Sequence, residues 1–191
     1  MKDVDYNKIR EQMKEALDNK RYEHTLGVAY TACCLAMRYD YDVQDAMLAG
    51  LLHDCAKDLS DKKKLSICDK NEIFVSKTEE KNPSLLHAKV GAHLASTKYD
   101  VENEEILNAI RFHTTGRPAM SLLEKIIYIA DYIEPNRKQA PNLDIVRSLA
   151  FQDIDKALMK ILSDTLVYLE ECNEEMDPLT QETYEYYKNL A

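Results

Sequence analysis

Apolar residues recur along most of the chain with the spacing of amphipathic α-helices. In residues 6–20, for example, Met13 and Leu17 lie four positions apart on one helix face. No run shows the convincing alternation of apolar and polar residues that predicts a half-buried strand. Helices are predicted at residues 6–20, 21–40, 42–59, 84–99, 102–113, 121–134, 144–172 and 177–191.

Several residues mark where these helices begin or end. Ser121 and Glu124 have the spacing of a capping box, which begins helices, and Pro135 stops the same segment. Asp177 is a plausible cap for the last helix, because the proline after it suits the first helical position. The segment 144–172 predicts either one broken helix or two consecutive helices.

A polar connection occupies residues 60–82, in which residues 60–70 predict one short helix. Pro83 then favours the start of the next helix. The chain has only four glycines and five prolines among 191 residues, and no internal repeat or linker divides it. We therefore predict an all-α fold in a single domain.

Charge and cysteine content restrict the environment and the partners of the protein. A net charge of −9 disfavours general binding to nucleic acid or to an anionic membrane, which a basic face usually supports. Five cysteines without a CxxC pair favour a reducing cytosol over disulfide formation. The N-terminal residues are too charged for an export signal, and no apolar run approaches the ~20 residues of a membrane span. We expect a soluble, cytoplasmic protein that binds neither nucleic acid nor membrane.

Histidine and aspartate side chains interrupt the apolar faces of several predicted helices. A lone histidine on such a face is usually a hydrogen-bonded core residue, and a His-Asp pair often occurs by chance. Two buried carboxylates, however, need compensation, because an isolated buried charge is very costly. The residues predicted to point inward are His24, His53, Asp54, His87, His113 and Asp131.

A divalent cation satisfies buried carboxylates and neutral imidazoles together. Internal cations such as Lys57 are too few to neutralise both aspartates, and they leave the histidines unexplained. Mixed nitrogen and oxygen ligation suits iron, manganese, cobalt, nickel or zinc better than calcium or magnesium. The fifth histidine, His93, lies six residues after His87 and so on a different helix face, and we expect it to be structural or at the surface.

The order of these residues resembles the HD superfamily of metal-dependent phosphohydrolases. Longer phrases surround these residues: RYEHTLGVAYTA, AGLLHDCAKDL, LLHAKVGA and HTTGRPAMSLLEKIIYIADYIEPNR. These phrases are similar to the bacterial YqeK-type family, hydrolases that split diadenosine tetraphosphate symmetrically into two ADP.

The resemblance implies a helical HD domain that occupies residues 1–191. Its metal-site core spans about 20–137, and the C-terminal helices, about 143–191, pack on that core. The implied partner is a nucleotide substrate, and a homodimer is plausible. The implied reaction is attack of metal-bound hydroxide on a phosphorus of the polyphosphate bridge.

The resemblance also assigns roles to the inward-pointing residues. Iron is the expected metal, and Asp54 is the natural bridging and catalytic carboxylate if two ions are present. His87 and His113 then hold a second metal or face the substrate, so the number of metal ions, one or two, remains open. The implied metal ligands are His24, His53, Asp54 and Asp131.

Cationic side chains near these ligands are candidates for binding phosphate. Lys57 is the second catalytic candidate, beside Asp54. It lies four residues after His53, so in a continuing helix its ammonium reaches a phosphate; alternatively, it is a solvated lysine at a helix end. Arginine suits bidentate phosphate contact, although lone loop arginines can equally be surface charge. The substrate-binding candidates are Arg21, Thr114, Thr115, Gly116, Arg117 and Arg137.

Three other functions remain open at the level of sequence. An HD-type nucleotidase, or a phosphohydrolase acting on other nucleoside polyphosphates, is the strongest rival. A non-catalytic nucleotide sensor normally lacks some ligands, whereas the full set occurs here. A scaffold with a structural metal leaves many inward polar groups unused. The tyrosines of residues 184–187 could stack on a nucleobase, but we expect them to pack within an amphipathic helix.

Overall fold

The helical pattern of the sequence corresponds to eleven α-helices in the computed structural model, which describes residues 4–172 and 176–190. No strand occurs within these residues, so the all-α prediction is confirmed. A 3-10 turn at Pro83–Leu86 leads directly into the sixth helix. The helices are α1 (Tyr6–Ala16), α2 (Asn19–Arg38), α3 (Val43–Leu52), α4 (Asp61–Lys70), α5 (Lys77–Lys81), α6 (His87–Lys98), α7 (Glu104–Arg111), α8 (Leu122–Ile133), α9 (Leu143–Ala150), α10 (Ile154–Glu171) and α11 (Pro178–Lys188).

Side-chain caps begin the helices where the sequence predicted them. The Ser121 hydroxyl accepts from the Glu124 amide, and the Glu124 carboxylate accepts from the Ser121 amide, which confirms the capping box of α8. Asp177 caps α11 by accepting from the Leu179 amide, with proline in the first turn. Helix α8 ends at Ile133, because Pro135 disfavours helical backbone in the residue before it, Glu134.

Several boundaries differ from the sequence prediction or decide between its alternatives. Helix α1 ends at Ala16 and α2 begins at Asn19, whereas the prediction placed this division between residues 20 and 21. Residues 144–172 form two helices, α9 and α10, separated by residues 151–153. The polar connection contains an additional short helix, α5, begun by a capping box of Ser76 and Glu79. Helix α3 ends at Leu52, several residues earlier than predicted, and the chain continues in tight turns.

The central core lies between α2, α3, α7 and α8. Helix α2 packs against both α3 and α8, while α7 contacts α3, α6 and α8. Leu35, Leu51, Ile110 and Ile127 are all fully buried in this core. Burying one such side chain stabilises the fold by about 1.5–3 kcal/mol, so the core fixes the relative positions of these helices.

Two peripheral units pack on this centre. Helix α10 lies against α8, α9 and α11, and the Tyr187 hydroxyl of α11 accepts from the Met120 amide at 2.8 Å. This contact agrees with the expectation that the C-terminal tyrosines pack. A smaller apolar cluster, which includes Cys68, Leu86 and Val90, joins α4, the 3-10 turn and α6. All five cysteines are unpaired.

Candidate metal centre

The six residues that the sequence predicts to point inward meet at one place in the fold. His24 lies on α2 and Asp131 on α8, while His87 is the first residue of α6. The remaining three lie just beyond helix ends: His53 and Asp54 follow α3, and His113 follows α7. The four histidines and Asp54 are at most 9% exposed, so the prediction of inward side chains is confirmed for them.

Three of the histidines share one local hydrogen-bond geometry. The Nδ1 atoms of His53, His87 and His113 lie 2.7–2.8 Å from the main-chain carbonyl oxygen three residues earlier. A carbonyl only accepts, so each Nδ1 carries the proton and donates it. In a neutral ring, Nε2 then carries no proton and its lone pair is free. This is the form of histidine that binds a metal.

The Asp54 carboxylate lies at the centre of these Nε2 atoms. Its Oδ1 is 3.3 Å from His87 Nε2 and 3.5 Å from His113 Nε2. Its Oδ2 is 3.5 Å from His53 Nε2 and 4.0 Å from His24 Nε2. The two carboxylate oxygens therefore face two different sets of imidazoles, as a carboxylate between two metal positions does.

Asp131 completes the side of the site that contains His24. The His24 Nε2 and Asp131 Oδ1 atoms are 3.0 Å apart, and Arg137 Nη2 donates to the same Oδ1 at 2.8 Å. The Asp131 side chain is 23% exposed, which makes it the most accessible of the six. The site is therefore approached by solvent from the α8 side.

Unpaired polar atoms show that a metal fits this donor set. Among the described residues, the buried atoms without a hydrogen bond include His53 Nε2 and Asp54 Oδ1. His24 Nε2 also lacks one, although Asp131 Oδ1 lies 3.0 Å from it. Buried polar groups are almost always satisfied, so convergent orphans indicate a missing partner. Two trios have ligand atoms within 4.8 Å of one another: His24, His53 and Asp131, and His53, Asp54 and His113.

Electrostatics keep the two carboxylates ionised despite their surroundings. Burial raises the pKa of Asp54, but the charge of His53 in its protonated form and hydrogen bonds donated by the protonated forms of His113 and His53 lower it well below its usual value. A metal ion would take the place of those protons at Nε2. Burial also raises the pKa of Asp131, and contact with His24 and the charge of Arg137 outweigh that effect. Both carboxylates therefore present full negative charge to a cation.

Two of the histidines, His87 and His24, have pKa values shifted in opposite directions. Burial lowers the pKa of His87 to about 4, so its ring is neutral near pH 7. Burial lowers the pKa of His24 as well, but Asp131 and Glu134 raise it overall. A metal at His24 consequently competes with a proton, as it does at most imidazole sites.

Like Arg137, the predicted phosphate-binding cations Lys57 and Arg21 contact residues of the centre directly. Lys57 Nζ lies 3.2 Å from His87 Nε2, and burial lowers the pKa of its ammonium group. The α-helix does not continue to Lys57; a turn bond from its amide to the Asp54 carbonyl places it there instead. Arg21 Nη1 donates to Asp54 Oδ2 at 2.8 Å.

The other candidate residues are divided between the centre and the loop after α7. Arg137 reaches the centre through Asp131, as described above. Arg117 instead pairs with the buried carboxylate of Glu124, with Nη2 and Oε1 2.8 Å apart. Gly116 has a φ of +64°, and a Cβ there would lie 2.8 Å from a Thr183 methyl. Both the backbone conformation and the lack of space therefore explain why a glycine occupies this position. Thr115 donates its hydroxyl proton to the Gly116 carbonyl, and Thr114 is half-buried in the same loop.

The sequence analysis missed Glu134, which contacts a predicted ligand. Its Oε1 lies 3.1 Å from His24 Nδ1, and the residue is 2% exposed. A glutamate before a proline at a helix end gives no local sign that it is buried. His93, by contrast, is partly exposed and belongs to neither of the two trios, as expected.

Known proteins similar to this chain share its fold and much of its sequence. Residues 21–136 match the family model of the HD domain. The symmetrical bis(5'-nucleosyl)-tetraphosphatase of Bacillus subtilis is 43% identical over 91% of this chain and 92% of its own length. The protein of the same name from Staphylococcus aureus is 39% identical over 87% of this chain and 86% of its own length.

A solved structure extends the similarity to three dimensions. The crystal structure of a predicted HD superfamily hydrolase involved in NAD metabolism, from Clostridium acetobutylicum, has a TM-score of 0.93 and 41% identity. It covers 97% of this chain, and this chain covers 98% of it. Together with the match over residues 21–136, these similarities show that the chain belongs to the HD domain family.

Proposed function

We propose that the protein is a metal-dependent hydrolase that splits diadenosine tetraphosphate symmetrically into two ADP. The observation that carries the proposal is the convergence of four imidazoles and two carboxylates with unpaired buried atoms. Relatives that are 39–43% identical over most of their length bear the name of that activity. Among the helices formed by residues 4–172 and 176–190, none has both the length and the hydrophobicity of a membrane span.

The reaction consumes one water molecule and breaks one anhydride bond. Oxygen from water forms a bond to one of the two central phosphorus atoms, and the bond from that phosphorus to the central bridging oxygen breaks. The bridging oxygen leaves as part of the second ADP. When bound, a divalent metal supplies a nucleophilic water near neutral pH and withdraws charge from phosphate oxygens.

The ligand set supports binding of that metal by His24, His53, Asp54 and Asp131. Their two ionised carboxylates offset the charge of the cation, and the Nδ1 contact of His53 orients its free Nε2. His87 and His113 face the other oxygen of Asp54, a position suited to a second ion or to a phosphate. Mixed nitrogen and oxygen ligation suits iron, manganese, cobalt, nickel or zinc, and of these we propose iron because the resemblance to the YqeK-type family implies it.

Lys57 and Arg21 are the proposed phosphate contacts at the centre. Lys57 lies beside His87, where its ammonium can hold a non-bridging oxygen and stabilise the negative charge of the departing ADP. Arg21 now pairs with Asp54, and its side chain is 31% exposed, so it can also reach a phosphate from the surface side. We propose Arg137 for the same purpose at Asp131, and residues 114–117 for contacts farther along the substrate.

We also propose a cytoplasmic location, a homodimer and a single domain of residues 1–191. In that domain the metal-site core spans about 20–137, and the helices of about 143–191 pack on it. The contacts of α10 with α8 support the last of these. The strongest rival remains an HD-type nucleotidase, which uses the same centre on mononucleotides.

A substrate panel with resolved products tests the proposal. The purified protein is analysed for bound metals and then incubated with diadenosine tetraphosphate, diadenosine triphosphate and mononucleotides. We expect iron in the protein and ADP as the sole product from the tetraphosphate. Formation of ATP and AMP, or hydrolysis confined to mononucleotides, would overturn the proposed function.

A further inference from the structure

His24 differs from the other three histidines of the centre in the group behind its ring. Each of the others donates from Nδ1 to a neutral main-chain carbonyl. His24 Nδ1 instead lies 3.1 Å from Oε1 of Glu134, a residue 110 positions later in the chain. A hydrogen bond to an ionised acceptor is roughly twice as strong as one to a neutral group, so this ring has the strongest orienting partner.

Glu134 is itself held in place at the end of α8. Its second oxygen, Oε2, accepts from the Asn136 amide at 2.7 Å, and the residue is 2% exposed. The same helix end carries Asp131, whose carboxylate faces the other nitrogen of His24 at 3.0 Å. One turn of α8 therefore places an acidic group at each of the two ring nitrogens.

Gly27 provides the space that the Glu134 carboxylate occupies. It lies on α2 three residues after His24 and therefore on the same side of the helix. A Cβ at this position would overlap Glu134 Oε2 severely and would lie 3.2 Å from Glu134 Cδ. Any side chain at residue 27 must therefore displace the carboxylate from its position beside His24.

We propose that Glu134 is a positioning residue that holds His24 with its Nδ1 protonated and its Nε2 directed at the metal, in a cradle that Gly27 keeps open. The inference rests on the proposed metal site but not on the substrate. Its physical basis is that a carboxylate behind a ligating imidazole fixes the ring and makes Nε2 a stronger donor. His24 and Asp131 then act as a ligand pair that is oriented by one helix end.

Titration of metal-free protein with Co²⁺, without nucleotide, tests the proposal. Glu134→Gln keeps the size of the side chain but offers one oxygen to two donors, the His24 ring and the Asn136 amide. We expect the Kd for Co²⁺ to rise by about 10- to 100-fold, the usual effect of removing such a partner. An unchanged Kd would overturn the proposal.

Glu124→Gln is the matched control for general damage to α8. Glu124 lies on the same helix with the same 2% exposure, but its carboxylate contacts Ser121 and Arg117 instead of a proposed ligand. We expect this variant to bind Co²⁺ with the wild-type Kd. If both variants lose affinity equally, the effect comes from helix stability, and the proposal fails.

Gly27→Ala tests the cradle without altering either partner. We expect the same rise in Kd, and no further rise when the change is combined with Glu134→Gln, because both remove one contact. Wild-type affinity in Gly27→Ala, or additive losses in the double variant, would contradict the proposal. Since no nucleotide is present, failure of the hydrolase assay leaves this result unaffected, and the reverse also holds.

Discussion

Helices α2 and α3 approach each other closely at Gly50, which allows a quantitative prediction. A Cβ added at Gly50 would lie 2.6 Å from the Cα of Ala29 and 3.1 Å from its nitrogen. Both atoms belong to the backbone of α2, so no side-chain rotation can relieve the contact. Gly50→Ala therefore forces α2 and α3 apart at the centre of the core.

The size of the effect follows from the distances. Ordinary contacts of a Cβ begin at 3.4 Å, so the helices must separate by about 1 Å. Such overpacking costs about 1–3 kcal/mol, and the better helix propensity of alanine offsets about 1 kcal/mol of it. The net loss is then at most about 2 kcal/mol, which lowers Tm by up to about 8 °C in a chain of this size.

Gly91→Ala is the matched control for this prediction. Gly91 also lies inside a helix, but its Cβ would meet nothing closer than an Ile110 methyl at 3.4 Å. We expect its free energy of unfolding to be unchanged or higher by up to about 1 kcal/mol. Denaturant unfolding of metal-free protein measures both variants. The packing argument is wrong if Gly50→Ala proves as stable as Gly91→Ala.

Three further predictions concern the centre and the last helix. Asp54→Ala should abolish turnover and lower the bound metal measured by elemental analysis. His93→Gln should change neither quantity. Normal activity in Asp54→Ala would reject the proposed site. Tyr187→Phe leaves the buried Met120 amide without its acceptor, so unfolding should become easier by about 1–3 kcal/mol with an unchanged KM. An unchanged free energy of unfolding would contradict the role assigned to this hydrogen bond. Metal at 100 times its Kd should raise the unfolding free energy by about 2.7 kcal/mol, and the absence of any rise in calorimetry would mean that the folded centre does not bind it.

The helices and the inward direction of the ligands could be predicted because both depend on local pattern. The capping box of Ser121 and Glu124 and the face that carries His24 are set by residues within two turns. The cost of burying Asp54 among apolar neighbours then indicated a cation before any fold was known. Short-range spacing and desolvation were sufficient for these predictions.

Contacts between distant segments could not be predicted in this way. Arg117 was expected at a phosphate, and Glu124 only at a helix cap, yet the two form an ion pair across a loop. The contact of Glu134 with His24 joins residues 110 positions apart, so neither helix pattern contains it. Lys57 reaches His87 although the helix that was expected to carry it ends at Leu52. Such contacts depend on how helices cross, which periodicity does not determine.

The position of the cut in the substrate distinguishes symmetrical hydrolysis from every other cleavage of the polyphosphate bridge. Hydrolysis of diadenosine tetraphosphate is carried out by metal-loaded protein in water enriched in ¹⁸O, and the products are resolved by mass spectrometry. We expect ADP alone, with one ¹⁸O atom in about half of the molecules, because one water attacks one central phosphorus. Label in AMP or ATP would place the cut at an outer anhydride bond and would rule out symmetrical hydrolysis.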